Sequence, residues 1–208
     1  MILHGNRKAY IVLKKFITMK DKTKKIETKR KAHEKCLAWF YAFPNTKIGL
    51  TELSKSIKTS KTATKEAVED LTKKEFLQKE IIGKSWLIST NQKHKYSTTK
   101  KIPYNLEKIY ESEILDKIHK TIPQARAISL FGSYRWGDDT EESDIDIAIE
   151  VLDNKQIEIS KLCTIKYLGY RKNIQVNIHT FSRNKIDLNL FSNIANGIIL
   201  EGFLEVKP

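Results

Sequence analysis

One stretch restricts the fold more than any other: Ala127 to Val151, AISLFGSYRWGDDTEESDIDIAIEV. Two apolar runs, Ala127–Phe131 and Ile147–Val151, are each strand-sized and lack the length of a helix. Gly132 and Ser133 break the first run, and an acid-rich loop leads back into the second through Asp144-Ile145-Asp146. Side chains alternate faces along a strand, so Asp144, Asp146 and Ala148 share one face. Ile145, Ile147, Ile149 and Val151 share the other, which the pattern predicts to be core. Two carboxylates one pleat apart repel, which raises one pKa unless a cation joins them. A hard cation such as Mg²⁺ takes carboxylate and phosphate oxygens together. Gly132 permits close backbone approach. A strand-to-helix turn at Ser133 would aim N–H groups and a hydroxyl at an anion. Phosphate at Gly132-Ser133 and metal at Asp144/Asp146 would make a nucleoside triphosphate site. The plainer reading of the same residues is a hairpin with an acidic loop.

Gly-Ser, a ten-residue spacer and Asp-x-Asp together resemble the signature of the polymerase-beta-like nucleotidyltransferase superfamily, minimal type. The matching residues are Phe131-Gly132-Ser133-Tyr134, Gly137 and Ser143-Asp144-Ile145-Asp146. The resemblance covers Ile109 to the C-terminus. It implies an α+β domain over 104–208, with a mixed sheet flanked by helices. It also implies Mg²⁺ or Mn²⁺ as cofactor and an NTP as substrate. The implied roles are Ser133, Asp144 and Asp146 in catalysis, Asp144 and Asp146 as metal ligands, and Gly132, Ser133 and Arg135 on the nucleotide. Arg135 and Trp136 stand where these proteins often carry a loop Arg.

The main departure from the family pattern concerns a third acid. The family's third strand brings a third carboxylate to the metals. Asn173 to Phe181 alternates as that strand would, and Asn177 falls at the acid's place. An amide offers a carbonyl oxygen without charge or basicity. His179, two residues on, is a substitute base or a hydrogen-bonded surface histidine. Asp153 and Asp187 are alternative third acids if the strand lies elsewhere.

Ahead of this domain the chain is basic. Net charge is +13, with eleven Lys/Arg against two acids in residues 1–32 and ten against twelve in 121–208. That asymmetry suggests an anionic partner at the front, or simply a Lys-rich solvated surface. Residues 1–32 form a basic segment; Ala9–Leu13 and Phe16-Ile17 have the makings of a short strand or helix. Lys20–Lys31 reads as a solvated helix or a mobile arm. Cys36, Leu37, Phe40 and Tyr41 fall at helical spacing up to Pro44-Asn45. Thr51 and Ser60 are N-cap candidates for two further helices. Phe76–Ile82 and Trp86–Ser89 flank a Gly83-Lys84 turn. Three helices and a hairpin over 33–98 resemble a winged helix-turn-helix. In that reading the third helix enters the major groove with Lys61, Lys65, Lys73 and Lys74 outward, and Thr59, Ser60, Thr62 and Thr64 meet phosphate or bases. Absence of Arg on this helix counts against guanine readout.

Lys93–Lys101 reads as a linker, and Tyr104–Ile122 as one helix ended by Pro123. A helix is expected from Asp153 or Asn154 through Cys163, and another, capped by Asp187, with Leu188, Phe191, Ile194 and Ala195 inward. Two distant cysteines suggest unpaired thiols in a reducing compartment. No segment is long and apolar enough for a membrane span, and the start lacks a signal-peptide pattern. A cytoplasmic protein is therefore expected. Three functions compete: a nucleotidyltransferase acting on a protein or other acceptor, a DNA-binding regulator with a nucleotide-sensing or inactive domain, and a module that binds only protein partners.

Overall fold

The computed structural model describes residues 26–153 and 156–206. The readings for Ala9–Leu13, Phe16-Ile17 and the first part of the basic segment fall outside that range. The chain forms two compact units. One takes residues up to Leu37 with Lys47–Ser89, the other Ala38–Thr46 with Thr90 onward.

A helix over 26–42 (α1) is exposed through residue 31 and then turns Cys36, Leu37 and Phe40 into the interior. The first unit continues with β1 (Ile48–Gly49), α2 (Leu50–Ser56), α3 (Lys61–Lys73), β2 (Leu77–Ile82) and β3 (Ser85–Thr90). The sheet order is β1-β3-β2, and Gly83 makes the β2–β3 turn at φ 60°. Ser60 caps α3, accepting from Ala63 N at 3.2 Å, while Ala63, Ala67, Val68 and Leu71 face the core. Lys61, Lys65, Lys73 and Lys74 are exposed. Two expectations fail here. Thr51 does not cap α2; Gly49 occupies that position with no side-chain bond. Thr64 is fully buried, its hydroxyl donating to Ser60 O at 3.0 Å and paired with the Thr59 hydroxyl at 2.6 Å, so it is withdrawn from any ligand.

The second unit is α+β. Its expected linker is partly helical, with α4 (Tyr96–Thr99) running into α5 (Lys101–Glu111). The single helix expected over 104–122 is two. Glu113 adopts φ 60° and separates α5 from α6 (Ile114–Thr121). The break redirects the stripe so that Ile109, Ile114 and Ile118 are all fully buried.

Then come β4 (Ala127–Phe131), α7 (Ser133–Trp136), β5 (Ile145–Glu150), β6 (Glu158–Leu168), β7 (Arg171–Phe181), α8 (Leu188–Ala195) and β8 (Ile198–Gly202). The sheet order is β6-β7-β5-β4-β8, and it is mixed: β5 and β7 run parallel, the other pairs antiparallel. The helix expected through Cys163 is the edge strand β6. Pairing along all of β7 supplies its backbone partners, and tertiary pairing overrides a weak local pattern. Ile145, Ile147, Ile149, Ile174, Val176 and Ile178 build the core on one face of the sheet. Phe131, Ala148, Phe181 and Ile194 build a smaller one on the other. Asp187 caps α8 through Asn189 N and Leu190 N at 2.9 and 3.2 Å. Leu188, expected inward, is 79% exposed because it sits on the outer side of the first turn.

Candidate active site

The site starts from strand register. β4 and β5 pair so that Phe131 faces Asp146, which brings Gly132, the next residue, against the same carboxylate. A Cβ at Gly132 would stand 3.1 Å from Asp146 Oδ2, and Gly132 has φ 70°. The turn's positive φ therefore favours glycine, and a side chain there would press on the Asp146 carboxylate. Ser133 opens the four-residue α7, and its hydroxyl has no hydrogen-bond partner among the described residues. Gly137 ends α7 at φ 77°, where a Cβ would collide with Ser97 O.

The parallel β5–β7 register sets Asp146 beside Asn177 and Ala148 beside His179. Asn177 Nδ2 donates to Asp144 Oδ2 at 3.3 Å and to Asp146 Oδ1 at 3.5 Å. Gln175 Nε2 donates to Asn177 Oδ1 at 2.8 Å and to Asp144 Oδ2 at 3.4 Å. His179 Nε2 lies 3.4 Å from Asp146 Oδ1, and its ring packs edge-on against Phe131. Its buried Nδ1 has no partner. The contact from His179, with help from Asn177, holds the Asp146 carboxyl below the usual carboxylate range, against the opposing effect of burial.

The acidic loop between β4 and β5 is tied down by long-range contacts. Arg171, at the start of β7, donates through Nη2 to Glu141 O at 3.1 Å and Ser143 O at 2.5 Å, and through Nη1 to the Tyr134 hydroxyl. Burial raises the Tyr134 phenol well above its ordinary range. Lys101 pairs with Asp139 at 3.1 Å, with both side chains almost wholly buried, and donates to Asp139 O. Asn105 Nδ2 completes the set, 2.7 Å from Asp139 Oδ1. Burial pushes Asp139 up and Lys101 down, and their mutual attraction opposes both shifts. Arg171, Lys101 and Asn105 were not singled out by the sequence reading. A lone arginine opening a strand, and a lysine in a basic stretch, carry no local signal of partners 28 to 38 residues away.

Of the sequence-derived site residues, Gly132, Asp144, Asp146 and Asn177 meet in one place. Arg135 is engaged elsewhere. Its Nε donates to Asn196 O at 2.7 Å, and the guanidinium stacks on Trp136 at 3.8 Å. Asp187 is committed to capping α8.

Asp144 Oδ2 and Asp146 Oδ1 both approach a single atom, Asn177 Nδ2. The carboxylates thus converge on a point where a positive partner is wanted. Such a donor set fits one hard divalent cation. Among the described residues no group of three His, Cys, Asp or Glu side chains gathers to hold a metal.

Residues 113–202 match the polymerase beta nucleotidyltransferase family. The Gly132–Ser133 corner, both aspartates and Asn177 all lie inside the matched span. A candidate protein adenylyltransferase of Methanocaldococcus jannaschii is 42% identical over 65 residues, which is 31% of this chain. The match spans about 65% of that relative's length. Family match and relative together support nucleotidyl transfer in general terms. No helix among the described residues is long and apolar enough to cross a membrane.

Proposed function

We propose that the C-terminal unit transfers a nucleoside monophosphate from an NTP to an acceptor hydroxyl. The observation that carries this reading is the approach of the Gly132 backbone to Asp146 in a domain that matches the nucleotidyltransferase family. In the proposed reaction the acceptor oxygen attacks the α-phosphorus. The bond from that phosphorus to the bridging α–β oxygen breaks, and pyrophosphate leaves. The acceptor proton passes to a base or to water.

Asp144 and Asp146 would hold Mg²⁺ or Mn²⁺, which supplies charge neutralisation on the phosphates when bound. The Gly132–Ser133 corner would seat the terminal phosphates through the Ser133 hydroxyl and the backbone. Ser133, Asp144 and Asp146 are the proposed catalytic residues, with Gly132 and Ser133 on the nucleotide. Arg135 joins them only by giving up Asn196. Asn177 has no basicity, and general-base catalysis is typically worth ~10²–10⁴ in rate. Turnover is therefore expected to be slow. The relative's name favours a protein side chain as acceptor.

The test is transfer of an α-phosphorus-labelled NTP, with Mg²⁺ or Mn²⁺, to partner protein, tRNA or oligonucleotide. Transfer that disappears in Asp146→Asn supports the reading. A wild-type chain that transfers nothing from any of the four NTPs overturns it.

A second reading has its own support in the amide set. Asn177 and Gln175 direct three N–H contacts at the two carboxylates, an arrangement that suits nucleotide sensing without turnover. In that case the three helices and hairpin of residues 33–98 would be a winged helix, and the chain a nucleic-acid-binding regulator.

A further inference from the structure

The first unit contains a cavity of about 430 Å³ that the transferase reading does not use. Lys61 and Lys65 on α3, and Lys84 and Trp86 on the β2–β3 hairpin, form much of its wall, and Thr51 and Glu52 of α2 also line it. Its size suits a small organic unit, since such sites span ~300–1,000 Å³.

The wall chemistry is specific. Lys61 and Lys84 have no carboxylate partner among the described residues, and Lys65 Nζ is 3.9 Å from Glu69. Lys65 Nζ also lies 5.5 Å from the centre of the Trp86 ring. Lys79, which does not line the cavity, lies 4.1 Å from the same ring. Trp86 is thus held by cation–π contact with part of its indole on the cavity wall.

We propose that this cavity takes one nucleotide of a single-stranded nucleic acid, with its base on Trp86 and its flanking phosphates on Lys61, Lys65 and Lys84. An aromatic platform beside unpaired ammonium groups is how single strands are bound without sequence preference. A duplex keeps its base faces stacked and cannot offer one to Trp86. The ammonium groups come from two elements, the start of α3 and the hairpin turn. That separation suits phosphates on either side of a base better than one clustered triphosphate. Glu52 disfavours phosphate on its side and can accept an N–H from a base edge.

The proposal is independent of the transferase reading, and binding alone tests it. The full chain is titrated against a short fluorescent oligodeoxyadenylate and a duplex of equal length, read by anisotropy at low salt. The single strand is expected to bind more tightly. Trp86→Ala is expected to weaken it ~10-fold and Trp86→Phe to keep most of the affinity. Lys61→Glu and Lys84→Glu, both at exposed positions, are expected to weaken binding and reduce its salt dependence. A duplex that binds as tightly, with Trp86→Ala neutral, overturns the proposal in favour of groove or backbone contact. Displacement by free AMP at equal nucleotide concentration overturns it in favour of a mononucleotide site. Absence of strand binding at low salt overturns it outright.

Discussion

At the scale of single residues, Asn177 decides most. Its amide nitrogen bridges Asp144 and Asp146, doing with partial charge what a third carboxylate and its cation would do with full charge. An aspartate there would place three acids together. Without a cation they would repel and raise one another's pKa, so the variant should demand metal. Asn177→Asp is therefore expected to tighten Mn²⁺ binding and to raise nucleotidyl transfer ~10²-fold or more. Calorimetry reads the first effect and the labelled-NTP assay the second. Unchanged metal affinity would mean that the register beside Asp146 does not bring the new acid to the pair. Asn177 was legible in the sequence because β7 alternates cleanly, with Ile174, Val176 and Ile178 marking the buried face. Gly132 was legible because it ends the largely apolar run Ala127–Phe131. Gln175 shares that half-buried face in the alternation, but nothing local shows that its amide reaches Asn177 Oδ1.

At the scale of elements, the loop between β4 and β5 is the informative case. It carries the acids that made the motif visible, yet Asp139 serves packing, not chemistry. Its carboxylate is buried with Lys101 and Asn105 as partners. Removing one member of a buried pair leaves the other charge uncompensated, at ~3–5 kcal/mol. Lys101→Met should therefore lower the unfolding free energy by about that amount. Lys101→Met with Asp139→Asn should recover part of it, as urea denaturation would measure. Equal losses in the single and double variants would show that the pair contributes through shape alone. Elements that sequence missed share a cause. β6 is an edge strand with mixed polarity, so its face pattern is weak and its partner lies along all of β7. The α5–α6 break has neither Gly nor Pro; Glu113 takes a left-handed backbone for the sake of packing Ile109, Ile114 and Ile118.

At the scale of the whole chain, the unit boundary has consequences for what folds alone. A sequence reading places the nucleotidyltransferase domain at 104–208, after an apparent linker. That linker supplies Lys101, whose ammonium is the partner of buried Asp139. Residues 38–46 belong to the same unit. Within it, Tyr41 packs on Tyr104 at 5.6 Å, and Gln92 Nε2 donates to Pro44 O at 3.2 Å and Asn45 Oδ1 at 2.8 Å. A fragment beginning at Tyr104 loses all of these contacts together with Lys101. One beginning at Thr90 keeps the buried ion pair and loses only the segment 38–46. The expected order of melting temperature is full chain, then the fragment from Thr90, then the fragment from Tyr104. Both steps should be resolved, because the first removes the buried side chains of Trp39, Phe40, Tyr41 and Ala42 and the second leaves an uncompensated buried carboxylate. Calorimetry on the three forms measures both steps. If the fragment from Tyr104 melts with the fragment from Thr90, Asp139 is neutral or solvated without Lys101, and the loop before Asp144 is held by Arg171 instead.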